Sequence, residues 1–270
     1  MINACIVLYK CTLSQSATYQ SIIDNKKTGF FNSIYIYCNS PGLLDASNLP
    51  SNIVVVENDR NQMLEPNYRH FITRSKLEGV DYVCLFDQDT VIPNCYYSEL
   101  SLIVSGKYAR YQALYPQVVN NGRAISPMSL KRGQPKTPIT NAGDIKASFI
   151  GINSGAVLNL DFKSTYDLLD SRFPLDYLDY VVSKKLLING GGVYLMNSVI
   201  EHDLSVSSSE RINTVRAESI LMSEKRYIDI YGDKKDKYYL LFKMITRIIY
   251  SIIDRNYKYS TMSLWNSLWK

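Results

Sequence analysis

The sequence has no run of about 18 uncharged apolar residues, so it is not expected to cross a membrane as a helix. Its first residues, Met1-Ile2-Asn3-Ala4-Cys5-Ile6-Val7-Leu8-Tyr9, have no basic leader and no small-residue cleavage site. They read as a core strand rather than a signal peptide. Cysteine is sparse: Cys5, Cys11, Cys38, Cys84 and Cys95 are odd in number and form no CxxC pair. That argues against a disulfide framework and against a zinc site. Cys5, Cys38 and Cys84 fall in apolar runs, where a thiol acts as a small hydrophobe, which suits a reducing, cytosolic compartment. Histidine is rarer still, with only His70 and His202. Internal repeats and low-complexity segments are absent too.

The 270 residues fit one large domain, or one domain with an appendage. A hydrophobic fraction of 46% is ordinary and sufficient for a substantial core. Tyrosine is abundant, with 22 copies. Aromatic faces that carry a hydroxyl suit a sugar site, although biased base composition of the gene accounts for the number more simply. Charge is uneven. Residues 1–233 hold 22 Lys+Arg against 23 Asp+Glu, whereas residues 234–270 hold 8 against 2.

Apolar β-type runs alternate with amphipathic stretches through the first half. Ala4–Tyr9, Ser33–Cys38, Ile53–Glu57 and Tyr82–Phe86 read as strands, and Ser16–Lys27 and Pro66–Leu77 as helices. This alternation predicts an α/β fold with a mostly parallel, Rossmann-like central sheet. Ligands then sit at the carboxyl ends of strands, where Asn39 and Asp87 stand. Pro116 to Asp144, rich in Gly, Pro, Asn and Lys, predicts a long loop or flap. Ala147–Leu160 and Val193–Ile200 read as strand, and Leu175–Ile188 as a helix ended by Asn189-Gly190-Gly191-Gly192. Tyr238–Ile253 has helical spacing with Lys243 and Arg247 on the side away from its apolar residues. Tyr257, Tyr259, Trp265 and Trp269 follow. A basic amphipathic helix with aromatics predicts contact with an anionic membrane surface. The alternative is packing on the body or a homodimer contact.

The chemistry-bearing residues are few. Asp87 and Asp89 flank Gln88 at the end of an apolar strand. Clustered carboxylates there are costly unless a cation or a basic group pairs with them, and a hard divalent ion such as Mg²⁺ or Mn²⁺ suits carboxylates plus phosphate oxygens. A turn rich in Asp is the plainer alternative. Asn153-Ser154-Gly155-Ala156-Val157-Leu158 forms a second element, followed by Phe173-Pro174-Leu175-Asp176-Tyr177-Leu178-Asp179. Glu201-His202-Asp203 is the third. A lone His is more often a satisfied core residue than a ligand, but a position just after a strand and between two acids favours His202 as a ligand. His70, in mid-helix, reads as structural.

In the order DQDT, SGAVL, DYLD and a strand ending in His, the chain resembles the bacterial family 2 glycosyltransferases over roughly residues 2–205. The resemblance is closest to the rhamnosyltransferase-like branch that builds O-antigen and capsule sugars. It implies a GT-A fold with a catalytic domain over 1–205, its nucleotide-sugar half about 1–115 and its acceptor half about 145–205. Residues 206–270 then form a basic, helical C-terminal appendage. By position, Leu8, Tyr9, Lys10, Asn39 and Gln88 match donor contacts, Asp87 and Asp89 the metal carboxylates, and Ser154 and Gly155 the sugar and acceptor pocket. Asp179 matches the catalytic base, with Asp176 the alternative, and His202 a late metal or diphosphate contact. Val181 and Lys185 stand where the family has an acid and an Arg, so Lys185 offers the diphosphate charge without a bidentate fork. Asn39 stands where an Asp is usual. The implied reaction is a metal-dependent, inverting transfer from a dTDP- or UDP-sugar to a lipid-linked glycan. The implied setting is the cytoplasmic face of a bacterial membrane.

Two other classes compete. A nucleotidyltransferase would carry a Gly-rich basic loop after its first strand, and Tyr9-Lys10-Cys11-Thr12-Leu13-Ser14 has no glycine. A membrane-surface scaffold or binding module related to glycosyltransferases would retain the tail but not the chemistry. Nucleic acid is not an expected partner, because the body of the chain carries no basic footprint.

Overall fold

The first strand, β1 (Ile2–Leu8), is buried at every position, as a strand covered on both faces must be. Its side chains alternate between two cores. Ala4, Ile6 and Leu8 join one cluster with Phe86, Tyr96 and Leu100. Cys5 and Val7 join another with Tyr68, Phe71, Leu85 and Leu158. In this computed structural model the described residues are 1–44, 46–202, 213–254 and 257–269. Asp203 and the expected boundary between 205 and 206 lie outside them, as does the side chain of Trp269.

The chain divides into two units, residues 1–129 with 136–203, and residues 130–135 with 204–270. In the first, β1 is followed by α1 (Ala17–Asp24), β2 (Ile34–Cys38), β3 (Ile53–Glu57), α2 (Glu65–Leu77), β4 (Tyr82–Asp87), β5 (Thr90–Val91) and α3 (Asn94–Val104). Then come β6 (Ala113–Asn120), β7 (Arg123–Ser126), β8 (Met128–Lys131) and β9 (Gln134–Pro138), of which residues 130–135 count with the second unit, then β10 (Gly143–Asp144) and β11 (Phe149–Ile150). β12 (Val157–Asn159), α4 (Leu178–Asn189) and β13 (Val193–His202) complete it. The main sheet runs β10-β13-β6-β12-β4-β1-β2-β3. β3, β2, β1 and β4 are mutually parallel, and β12 is antiparallel between β4 and β6. β13 lies parallel to β6. The α/β, mostly parallel architecture expected from the alternation is the one observed.

One expectation fails. Pro116 to Asp144 is not a loop but a series of strands from β6 to β10. Gly122 and Gly133 make hairpin turns, while Gly143 lies in β10. Asn121-Gly122 (φ 48° and 73°) and Arg132-Gly133 (φ 53° and 65°) are consecutive left-handed pairs of the kind that tight hairpins require. Asn120 pairs with Arg123 directly across the first turn. Asn and Gly serve two-residue hairpin turns as well as open loops, so composition alone does not distinguish the two.

The abundant tyrosines are largely core. Tyr37, Tyr68, Tyr96, Tyr97 and Tyr115 are among the largest fully buried side chains. His70, as expected, is structural, 2.7 Å through Nδ1 from the Tyr37 hydroxyl. All five cysteines are free, and only Cys95 is exposed.

The second unit contains α5 (Thr214–Tyr231), α6 (Lys234–Ile253) and α7 (Thr261–Trp269). Asn213 caps α5 by accepting from the Arg216 N–H. Asp233 and Asp236 form a capping box on α6. Ala217, Leu221, Met244, Tyr259 and Leu264 make its core. Among the described residues, no helix is long and apolar enough to cross a membrane.

Candidate active site and metal centre

β4 delivers Asp87 to its carboxyl end, and the chain turns through Gln88 and Asp89 into β5. That two-residue strand pairs with the end of β13, setting Thr90 opposite His202. The pairing joins residues more than a hundred positions apart. Ligand atoms of Asp87, Asp89 and His202 lie within 4.8 Å of one another. His202 Nδ1 is 3.2 Å from Asp89 Oδ1 and 2.9 Å from Thr90 Oγ1, and Nε2 is 3.9 Å from Asp87 Oδ2. Both ring nitrogens of His202 thus face carboxylate oxygens, Nδ1 that of Asp89 and Nε2 that of Asp87.

Buried hydroxyls hold this turn in place. The Asp87 N–H donates to Ser154 Oγ (2.9 Å), and Ser154 Oγ is 2.6 Å from Thr90 Oγ1. Thr18 Oγ1 donates to the Asp87 carbonyl and accepts from the Thr90 N–H (3.0 Å). Ser16 Oγ donates to the Gln88 carbonyl (2.9 Å), and Gln88 Oε1 accepts from the Tyr9 N–H (2.8 Å). Ser154 is fully buried behind the carboxylates. Gly155 follows at φ +81°, where an added Cβ would lie 2.5 Å from Ile200 Cδ1 and 2.9 Å from Pro116 Cγ. The Ser-Gly pair thus passes directly beneath β13, at a spot that admits no side chain.

The electrostatics are those of crowded carboxylates. Burial raises the Asp87 pKa above the ordinary range, against the lowering effects of His202 and of the Tyr68 hydroxyl, which donates to Oδ1 at 3.1 Å. Asp179, in the first turn of α4, is pushed up to about 7, first by burial and then by the Asp87 charge. The Asn153 N–H, which donates to its Oδ1 at 3.2 Å, opposes the shift. Ahead of it, Tyr177 adopts φ 65°, a strained conformation for an aromatic residue, and stacks on Tyr180 at 4.5 Å.

Two carboxylates and an imidazole, crowded where burial disfavours negative charge, fit a divalent cation.

Tyr9 and Lys10 are exposed on the loop after β1, with the Lys10 N–H donating to Ser40 Oγ (2.8 Å). Leu8 is buried, and its carbonyl takes the Asn39 N–H. Asn39 is also buried. Its amide donates to the Met63 carbonyl and accepts from Asn58, Asn67 and the Gln62 N–H. Lys185 donates to the Asp167 and Leu169 carbonyls (2.6 and 2.9 Å), so its charge is engaged there. Asp176 is half-buried just before α4. Thr90, Thr18, Tyr68 and Asn153 belong to the site yet carry no signal of their own in the sequence, since each works through a partner distant in the chain.

No protein-family model and no curated protein matches the chain. Solved structures do. Staphylococcus aureus TarS 1–349 matches with a TM-score of 0.55 at 10% identity, over 84% of this chain and 65% of that one. GalNAc-T7 with UDP, GalNAc and Mn²⁺ matches with a TM-score of 0.57 at 14% identity, over 92% and 50%. TarS 1–349 in complex with UDP-GlcNAc gives 0.54 at 10% identity. The chain therefore spans half to two thirds of the length of these glycosyltransferases. At such identities the likeness is one of fold, and the fold is the GT-A type.

Proposed function

We propose that the chain is a metal-dependent, inverting glycosyltransferase that uses a dTDP- or UDP-sugar donor. The observation that carries this reading is the convergence of Asp87, Asp89 and His202 at the carboxyl end of β4, with the Asp179 carboxylate coupled to Asp87. The GT-A fold supports it. A divalent ion held by Asp87, Asp89 and His202 would neutralise the leaving diphosphate. Asp179 accepts the proton of an acceptor hydroxyl as that oxygen attacks the anomeric carbon. The bond from that carbon to the diphosphate breaks, and its electron pair leaves with the diphosphate. A carboxylate raised to about 7 suits this task, being ionised in a useful fraction at neutral pH while retaining proton affinity. Asp176 is the alternative base. Tyr9 and Lys10, exposed beside the Gln88 turn, border the donor nucleotide. The acceptor we assign is a lipid-linked glycan of bacterial surface polysaccharide, O-antigen or capsule, extended at the cytoplasmic face of the membrane.

Donor binding and donor hydrolysis across a panel of nucleotide sugars, with Mn²⁺, Mg²⁺ or EDTA, test the reading. The expected outcome is metal-dependent selection of one donor, with turnover reduced at least ~100-fold in Asp89→Ala. Failure to bind any donor under any condition would overturn it and leave a non-catalytic scaffold.

A further inference from the structure

In the second unit, helix α6 turns Leu240, Met244 and Ile248 inward together with Lys243 and Arg247, and it leaves a second, apolar face outward. Lys243 donates to Glu224 Oε1 (2.7 Å) and Gln134 Oε1 (2.5 Å), and Arg247 pairs with Glu224 Oε2 (2.5 Å). Glu224 is 1% exposed. Burial pushes its carboxyl up, and the Arg247 and Lys243 charges outweigh that, leaving it below its ordinary value. The two cations expected to meet a membrane are therefore engaged at an internal carboxylate. The outward side holds Tyr238, Leu241, Phe242, Ile245, Ile249, Ile252 and Ile253, each between 48% and 75% exposed. At 100° per residue these seven fill an arc of about 120° over a length of about 23 Å. No charged residue falls in that arc between Tyr238 and Ile253, and the exposed Lys234 and Lys235 stand at its N-terminal end. Trp265 and Met262 on α7 are also more than half exposed. So large a contiguous apolar face marks an interaction surface rather than ordinary exposure.

Charge decides what covers it. Residues 213–270 hold 11 Lys+Arg and 6 Asp+Glu, whereas residues 1–212 hold 19 of each. The whole net charge of +5 thus belongs to the helical segment. Two copies would bring like charges together, while an anionic lipid surface attracts this segment. Exposed Tyr and Trp, apolar in body and polar at the tip, suit the headgroup boundary. We propose that α6 lies in the plane of an anionic bilayer surface. Phe242, Ile245, Ile249 and Ile252 seat among the acyl chains, and Lys234 and Lys235 meet acidic headgroups. The proposal stands on the helical unit alone and is independent of the glycosyl-transfer reading.

Flotation of the full chain with vesicles of phosphatidylcholine, or of phosphatidylcholine with phosphatidylglycerol, tests it. The chain should float with the anionic vesicles and much less with the neutral ones. Ile245→Glu with Ile249→Glu should reduce the bound fraction at least ~10-fold with unchanged far-UV circular dichroism. Lys234→Glu with Lys235→Glu should lower anionic binding and leave neutral binding as it was. Absence of flotation, or equal flotation of the Ile245→Glu, Ile249→Glu variant, would overturn the proposal. So would a dimer in analytical ultracentrifugation that this variant converts to monomer in a protein without lipid affinity, because a second copy would then be the occupant.

Discussion

Asp179 illustrates what a single half-buried acid does to a fold. Its pKa is about 7 in the folded chain against an ordinary value near 4, so the folded state keeps a proton that the unfolded state releases between those two values. Stability therefore falls as pH rises through that window, and the full penalty stands above it. Asp179→Asn removes the penalty. In the metal-free protein the variant should melt higher than wild type at pH 8, with the gain shrinking to nothing near pH 4. Differential scanning calorimetry across pH checks this, and a gain that is constant with pH would contradict it. The same substitution should reduce turnover at least ~100-fold while donor binding persists. The sequence made the acidic pair at Asp87 and Asp89 legible because a strand must run into it. The motif order brought Asp179 and His202 into the reading. Ser154 was legible as a pocket residue but not as the hydroxyl that takes the Asp87 N–H, and the rest of the support stayed hidden: Thr90 beside it, Tyr68 on Asp87, and the Asn153 N–H on Asp179. A hydroxyl's usefulness depends on what folds against it, and that partner is not written beside it.

At the scale of elements, His202 depends on the register of β13, and that register is not uniform. The pairing of β13 with β6 shifts between Leu195 and Val199. The irregularity frees backbone donors that a regular ladder would use. Glu99 on α3 takes them: Oε1 accepts from the Asn197 N–H (2.8 Å) and Oε2 from the Ser198 N–H (2.7 Å). With Glu99 only 7% exposed, the carboxylate acts as a clamp that holds the bulge and fixes where the strand ends. Glu99→Ala leaves the buried Ser198 donor without its acceptor. It should cost about 2–3 kcal/mol in urea unfolding. The same variant should weaken Mn²⁺ binding, measured by titration, more than Glu99→Gln, which keeps an acceptor oxygen. Equal Mn²⁺ affinity in wild type and Glu99→Ala would show that the bulge does not position His202. The strands and helices of the first half were legible from apolar periodicity, and the hairpins of 116–144 were not. There, Asn121-Gly122 and Arg132-Gly133 declare turns only when the flanking residues are recognised as strand. The short, polar edge strands of this region give little such signal, β9 (QPKTP) least of all.

Across the whole molecule, the two units differ in what a metal ion can do for them. Asp87, Asp89 and His202 all belong to the first unit. Without a cation, the first unit carries acids whose ionisation burial resists, as the upward shifts of Asp87 and Asp179 record. An ion that binds the folded first unit and not the unfolded chain stabilises that unit by mass action, about 2.7 kcal/mol at a hundredfold excess over Kd. At about 2–4 °C per kcal/mol for a domain of this size, the melting temperature of the first unit should rise by roughly 5–10 °C. Saturating Mn²⁺ should thus move the calorimetric transition of residues 1–129 with 136–203. A transition of the helical unit, resolved by circular dichroism at 222 nm, should stay where it was. EDTA should return the first transition to its starting point, and Asp89→Ala should abolish the shift. A uniform shift of both transitions that persists in Asp89→Ala would mean that the ion acts as bulk electrolyte. The three side chains would then not form a metal centre.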